Sequence, residues 1–211
     1  MLPPPIYIIN LPTSIERRSE MERQFSKLDL TYTFVDAVDG KNLDKLYINK
    51  YYSSHETKKL HGRELTRGEI GCSLSHLSLY KKVITDGSDY AVILEDDIYI
   101  GRSFREFIDL LPQLVSDEWE MINLISDTKS TPIGKPVFDI YRYSHFHSSS
   151  NMTVAYVIKL SAALKLLRYA YPIRFAADGL TGRFMETGVR LYGLSPDVVA
   201  LRDVNSDIGS R

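Results

Sequence analysis

Three carboxylates in a row, Glu95-Asp96-Asp97, follow the apolar run Tyr90-Ala91-Val92-Ile93-Leu94. Adjacent like charges at the end of a buried strand are costly unless water or a counterion neutralises them. Ligands of open α/β sheets bind beyond the carboxyl ends of the strands, so the position suits a binding site as well as a solvated acidic turn. Side chains alternate along an extended chain, which sends Glu95 and Asp97 to one side and Asp96 to the other. Two carboxylates on one side make a partial shell for a hard divalent cation, Mn²⁺ or Mg²⁺, of the kind that shares the phosphates of a nucleotide. Such a cation assists the departure of a diphosphate. Two other acid-based chemistries fit less well. An aspartyl-phosphate hydrolase needs Asp-x-Asp-x-Thr or Val, whereas this chain reads Asp96-Asp97-Ile98-Tyr99. A receiver domain needs an acidic pair on its first strand, and Ile8-Ile9-Asn10 offers none.

A second group lies on a helix. Cys72 and His76 are four residues apart, hence on one face, and could pair as thiol and imidazole or ligate a metal. With no third ligand near them in sequence they read as packing groups, Cys72 as a small buried hydrophobe. Gly68 and Gly71, in the first turns of the same helix, each cost up to ~1 kcal/mol against alanine, so something should approach that backbone closely.

The elements that position these groups follow from periodicity. Ile6-Tyr7-Ile8-Ile9 reads as a buried strand, and Thr13 with Glu16 as a capping box before Met21, Phe25 and Leu28 at helical spacing. Thr31–Val35 reads as a second strand, and strand-helix-strand implies a parallel pair. Residues 41–62 are polar, rich in tyrosine (Tyr47, Tyr51, Tyr52) and without a sustained period, which predicts a long excursion with one short helix. Thr66 with Glu69 predicts a second capping box, heading a helix striped by Ile70, Leu74, Leu77 and Ile84 and closed by Gly87. Ser103 with Glu106 predicts a third, before Phe107, Leu110 and Leu111. Beyond it, residues 119–125, 137–143, 153–160 and 190–194 read as strands, some antiparallel, and residues 161–170 as a helix. The sum is an α/β chain with a mixed, mainly parallel sheet. One domain is expected over residues 1–211, with a Rossmann-like nucleotide-binding half (1–100) and a second half (101–211) for an acceptor.

Composition sets limits. At 211 residues the chain can bury a full core without disulfides or structural metal. With 26 basic and 27 acidic side chains it lacks the basic excess of a nucleic-acid binder. The single cysteine excludes an intrachain disulfide and fits a reducing compartment. No apolar run reaches the ~20 residues of a membrane-spanning helix, and the first residues lack a signal peptide's charged start, so a cytoplasmic location is expected.

Several stretches together resemble glycosyltransferase family 25, the lipooligosaccharide galactosyltransferase-like enzymes. They are Ile6-Tyr7-Ile8-Ile9-Asn10-Leu11 with Arg17-Arg18, Phe34-Val35-Asp36-Ala37-Val38-Asp39-Gly40, Thr66-Arg67-Gly68-Glu69-Ile70-Gly71-Cys72-Ser73-Leu74-Ser75-His76 and Ile93-Leu94-Glu95-Asp96-Asp97. Weaker matches are Ala155-Tyr156-Val157-Ile158, Asp178 and Ser206-Asp207-Ile208. The resemblance implies a GT-A fold and inverting, metal-assisted transfer of galactose from UDP-galactose, through a β-1,4 linkage, to a terminal sugar of a bacterial surface glycolipid. It implies donor contacts from Asn10, Leu11, Arg17, Asp36 (or Asp39), Glu69, Ser75, His76, Glu95 and Asp96, with Glu95 and Asp97 on the metal. Asp97 and Asp178 are then the catalytic candidates, Asp178 as base with Asp207 as alternative, and His145 or His147 could supply a third metal ligand. Relatives commonly continue past the last motif into a basic or aromatic segment. Such a tail would give peripheral attachment to the inner face of a bacterial inner membrane. Tyr47, Tyr51 and Tyr52 would lie in a mobile excursion that could cover a sugar.

Overall fold

The computed structural model describes residues 3–115, 118–125, 130–133, 136–137, 140–147 and 152–202. The chain runs β1 (Ile6–Asn10), α1 (Ile15–Phe25), β2 (Thr33–Asp36), a 3₁₀ turn (Gly40–Asn42), α2 (Lys45–Tyr51), α3 (Ser54–His61), α4 (Arg67–Thr85), β3 (Tyr90–Glu95) and β4 (Ile98–Tyr99). It continues through α5 (Arg102–Leu114), β5 (Met121–Asn123), β6 (Ser130–Pro132), β7 (Arg142–Phe146), β8 (Ala155–Lys159), α6 (Leu160–Ala170), α7 (Ala177–Thr181), α8 (Phe184–Thr187), β9 (Leu191–Ser195) and β10 (Ala200–Leu201).

Eight strands form one sheet in the order β2-β1-β3-β8-β5-β9-β7-β6, with β4 and β10 paired separately. Six of the eight share a direction, and β8 and β7 run against them. The fold class is therefore the α/β, mixed and mainly parallel arrangement expected. The apolar run of β3 is continuous because both of its faces are covered. Val92 and Leu94 join one core with Met21 and Phe25 of α1 and Phe104 and Phe107 of α5. Ala91 and Ile93 join the other, with Ile70, Leu74 and Leu77 of α4 and Ala162 and Leu166 of α6. Helices thus sandwich the sheet, and the parallel neighbours β1 and β3 end side by side, Ile9 opposite Glu95.

The Thr66–Glu69 capping box is complete: Glu69 N–H donates to Thr66 Oγ1 (3.1 Å) and Thr66 N–H to Glu69 Oε2 (2.7 Å). The other two do not form. Helix α1 starts behind Ser14 and α5 behind Gly101, neither with a side-chain cap. Glu16 stays in the first turn without that partner, Ser103 donates to Val198 O, and Glu106 pairs with Arg102. A Ser/Thr-x-x-Glu string forms a capping box only when its first residue is the N-cap, and that place falls to Ser14, one residue after Thr13, and to Gly101, two residues before Ser103.

The excursion is also more ordered than its sequence suggests. It holds the 3₁₀ turn and two helices, capped by Asp39, Asp44 and Ser53. Its tyrosines anchor it: Leu65 N–H donates to Tyr52 Oη (3.0 Å), the Tyr51 ring lies tilted against Tyr171, and Tyr52 bridges Ile173. These contacts dock the segment on the rest of the chain. No helix among the described residues is long and apolar enough to cross a membrane.

Candidate active site

Where β1 and β3 end, a cleft opens that is lined by Leu11, Arg17, residues 37–41, Gly68, Cys72, Ser75, His76 and all three strand-end carboxylates. Helix α4 forms one wall and holds the 37–41 segment at close range. A Cβ on Gly71 would lie 2.5 Å from Val38 O, and one on Gly40 1.8 Å from Arg67 O. The close neighbour that Gly71 requires is therefore backbone of the chain itself, whereas Gly68 lines the cleft. Ser75 Oγ accepts from Val38 N–H (2.8 Å), fixing the same segment from the side.

Asp96 and Glu95 turn to different neighbours, as alternation expects of adjacent residues. Asp96 turns toward α1, where Asn10 Nδ2 (2.7 Å) and Arg17 Nη1 (2.9 Å) donate to its two oxygens. Both members of that ion pair are largely buried, and desolvation still leaves the Asp96 carboxyl above its ordinary range. Glu95 turns toward α4. Its Oε1 lies 3.2 Å from His76 Nε2 and accepts from Thr153 Oγ1 (3.3 Å). Asp97 follows the bend and is pushed up to about 6, by burial first and then by the charges of Glu95 and Asp96. Its Oδ1 is buried and has no hydrogen-bond partner among the described residues, and neither has Asn10 Oδ1. Buried oxygens of this kind call for an explanation, and at a strand-end cleft a ligand supplies one.

Other expected residues are placed differently. Asp36 is exposed at the end of β2 and does not line the cleft; Asp39 does, while capping the 3₁₀ turn through Lys41 N–H. Glu69 does not line it either. Its oxygens are held by Thr66 N–H and, in a two-pronged contact at 2.6 and 2.8 Å, by Arg63, so it serves the head of α4. Asp178 lies in the first turn of α7 behind Ala176, its Oδ1 accepting from Gly179 N–H (2.7 Å), and is not the N-cap. It lines a second cleft with His61, Arg63, Glu69, His147 and Arg183. His145 and His147 are exposed on β7 and its end, His145 against Tyr192 and His147 bonded to Thr131, so neither reaches the carboxylates as a third metal ligand. Asp207 lies outside the described residues.

The sequence reading missed Thr153, Arg63 and the environment of His76. His76 Nδ1 lies 2.7 Å from Tyr156 Oη, which donates to Tyr80 Oη (3.3 Å), all three side chains being fully buried. The available signal was a tyrosine inside the apolar strand β8, since a buried hydroxyl needs a partner.

The arrangement defines an α/β protein with an acidic cleft at the carboxyl ends of neighbouring parallel strands, a place where such sheets bind nucleotides. Residues 3–181 match the family described as glycosyltransferase family 25 (LPS biosynthesis protein), and the chain belongs to that family. It is similar to an Aedes aegypti protein named glycosyltransferase 25 family member, 33% identical over 77% of this chain and 27% of that one. It is also similar to zebrafish (Danio rerio) procollagen galactosyltransferase 1, 29% identical over 80% of this chain and 29% of that one. The human inactive glycosyltransferase 25 family member 3 is 30% identical over 80% of this chain and 29% of its own. This chain thus spans less than a third of these curated relatives. The apo structure of mouse xyloside xylosyltransferase 1 overlays with a TM-score of 0.42 at 12% identity, over 89% of this chain and 70% of that one.

Proposed function

We propose that the protein transfers galactose from UDP-galactose to a hydroxyl of a glycan acceptor, with inversion, a divalent cation sitting at Glu95 and Asp97. The observation that carries this reading is Asp97, a buried carboxylate with an oxygen that no hydrogen bond satisfies among the described residues, beside Glu95 in a cleft at the strand ends. A carboxylate pair of this kind fits Mn²⁺ or Mg²⁺, which retain waters and accept phosphate oxygens. The cation would supply positive charge against the departing diphosphate.

The chain's own residues do the rest. Asp96, held by Asn10 and Arg17, fixes the strand ends so that Glu95 and Asp97 project into the cleft. Leu11, the 37–41 segment and Ser75 form the donor walls, Asp39 being the carboxylate nearest to hand for ribose hydroxyls. Lys41 and Arg17 lend positive charge to the diphosphate. Asp178, in the second cleft, takes the proton of the attacking acceptor hydroxyl. The acceptor is a terminal sugar of a lipid-linked bacterial oligosaccharide, a reading supported by the family's description as an LPS biosynthesis protein.

The test measures UDP release from UDP-galactose with an acceptor panel that includes bacterial lipooligosaccharide and hydroxylysine peptides, with and without Mn²⁺. Turnover that needs the metal and disappears in the Glu95→Ala/Asp97→Ala double variant supports the reading. Full activity under exhaustive chelation removes the metal from it. The human relative named inactive supplies the rival: saturable UDP-galactose binding without UDP release on any acceptor would make this chain a sugar-nucleotide binder.

A further inference from the structure

Cys72 Sγ, a ring nitrogen of His76 and a carboxylate oxygen of Glu95 lie within 4.8 Å of one another. We propose that these three side chains form a binding site for Zn²⁺, different in donor chemistry from the hard-cation pair proposed above, with which it shares Glu95. Thiolate, imidazole and carboxylate are the donors from which zinc sites are built, whereas Mg²⁺ and Mn²⁺ prefer oxygen alone.

Four features of the geometry support it. Cys72 and His76 come from one face of α4 and Glu95 from the end of β3, so two rigid elements fix the ligands. His76 Nδ1 lies against Tyr156 Oη (2.7 Å), leaving Nε2 as the nitrogen directed at Glu95. A ligating histidine characteristically has its other nitrogen held in this way, and the Tyr156–Tyr80 contact holds the holder. Thr153 Oγ1 donates to Glu95 Oε1 and orients the carboxylate. All three ligands also line the open cleft, which gives an ion a route in and leaves a fourth position for water or substrate. In the sequence, Cys72 and His76 lack a third partner because Glu95 is brought to them only by the packing of α4 on β3. Glu95 belongs to both sets, so the two kinds of ion compete for it.

Cobalt(II) provides a spectroscopic probe that does not depend on turnover. Titrating the wild-type chain with Co²⁺, without nucleotide or acceptor, is expected to give a thiolate-to-cobalt charge-transfer band that equimolar Zn²⁺ abolishes. Cys72 is the single cysteine, so any such band reports this site. The thiol proton leaves on binding, so apparent affinity rises with pH. Losing an outer partner of a ligand costs about 10–100-fold in affinity, and Cys72→Ser is expected to cost at least the upper figure, measured by chelator competition. Circular dichroism checks that the variant folds, and His76→Gln provides a second one. Co²⁺ binding without a thiolate band, or Zn²⁺ affinity unchanged in folded Cys72→Ser, overturns the proposal. Either result stands whether or not the chain transfers galactose.

Discussion

The two clefts that share α4 are built from different materials. The first rests on the ends of two neighbouring parallel strands, β1 and β3, and gathers four carboxylates, Asp39, Glu95, Asp96 and Asp97, against Arg17 and Lys41. The second is assembled from short pieces, the end of α3 with α7 and α8, and its charges answer one another: Arg63 holds Glu69 and Arg183 holds Glu186. A rigid cleft with excess negative charge suits a cation and the diphosphate it carries. On the proposed function, the second cleft receives a neutral hydroxyl acceptor, with Asp178 as its base.

The sharpest way to break this division of labour is at Asp178. General-base catalysis is worth about 10²–10⁴-fold, so Asp178→Asn is expected to lower kcat by that factor. Donor affinity, read from the shift in melting temperature with UDP-galactose, stays as it was. A variant that loses donor affinity instead would move Asp178 into the first cleft's work. Next in size is Arg17→Ala, which leaves Asp96 buried with Asn10 alone. Removing one partner of a buried pair costs roughly 3 kcal/mol, read by chemical denaturation. The exposed pair Arg102–Glu106 serves as control, and Arg102→Ala should change stability by well under 1 kcal/mol.

Legibility followed the same division. The first cleft was readable because its parts are periodic: an apolar strand must be buried on both faces, and alternation then sends Asp96 and Glu95 opposite ways. Of the three capping boxes read from the same four-residue pattern, the Thr66–Glu69 one held because Thr66 is the residue at which the helix starts. Much less was visible of the second cleft, whose elements α7 and α8 run to five and four residues, too short to carry a period. The excursion misled for a related reason. Its helices are short and polar, and they are held by contacts such as Tyr52 to Leu65 and to Ile173 that no local pattern encodes. Charge partners were hidden likewise: Arg17 and Asp96 lie 79 residues apart, as do their roles in any reading by spacing.

The remaining expected effect, which depends on pH, separates the two neighbours within the first cleft. Asp96 has its partners, whereas Asp97 is held at about 6 by burial and two adjacent charges. Its carboxyl therefore binds a proton in the folded chain below about pH 6 but in the unfolded chain only below about 4. Between those values folding is favoured as pH falls, and above pH 6 the ionised group is a liability of up to about 3 kcal/mol. In metal-free buffer Asp97→Asn should accordingly melt higher than wild type at pH 8, with the gap closing as pH falls toward 4. Saturating Mn²⁺ should reverse the order at pH 8, because a ligand that binds only the folded wild type adds stability the variant cannot gain. A variant that melts lower at pH 8 without metal would mean that Asp97 has a protein partner after all, and the first cleft would lose the feature that sets it apart from the second.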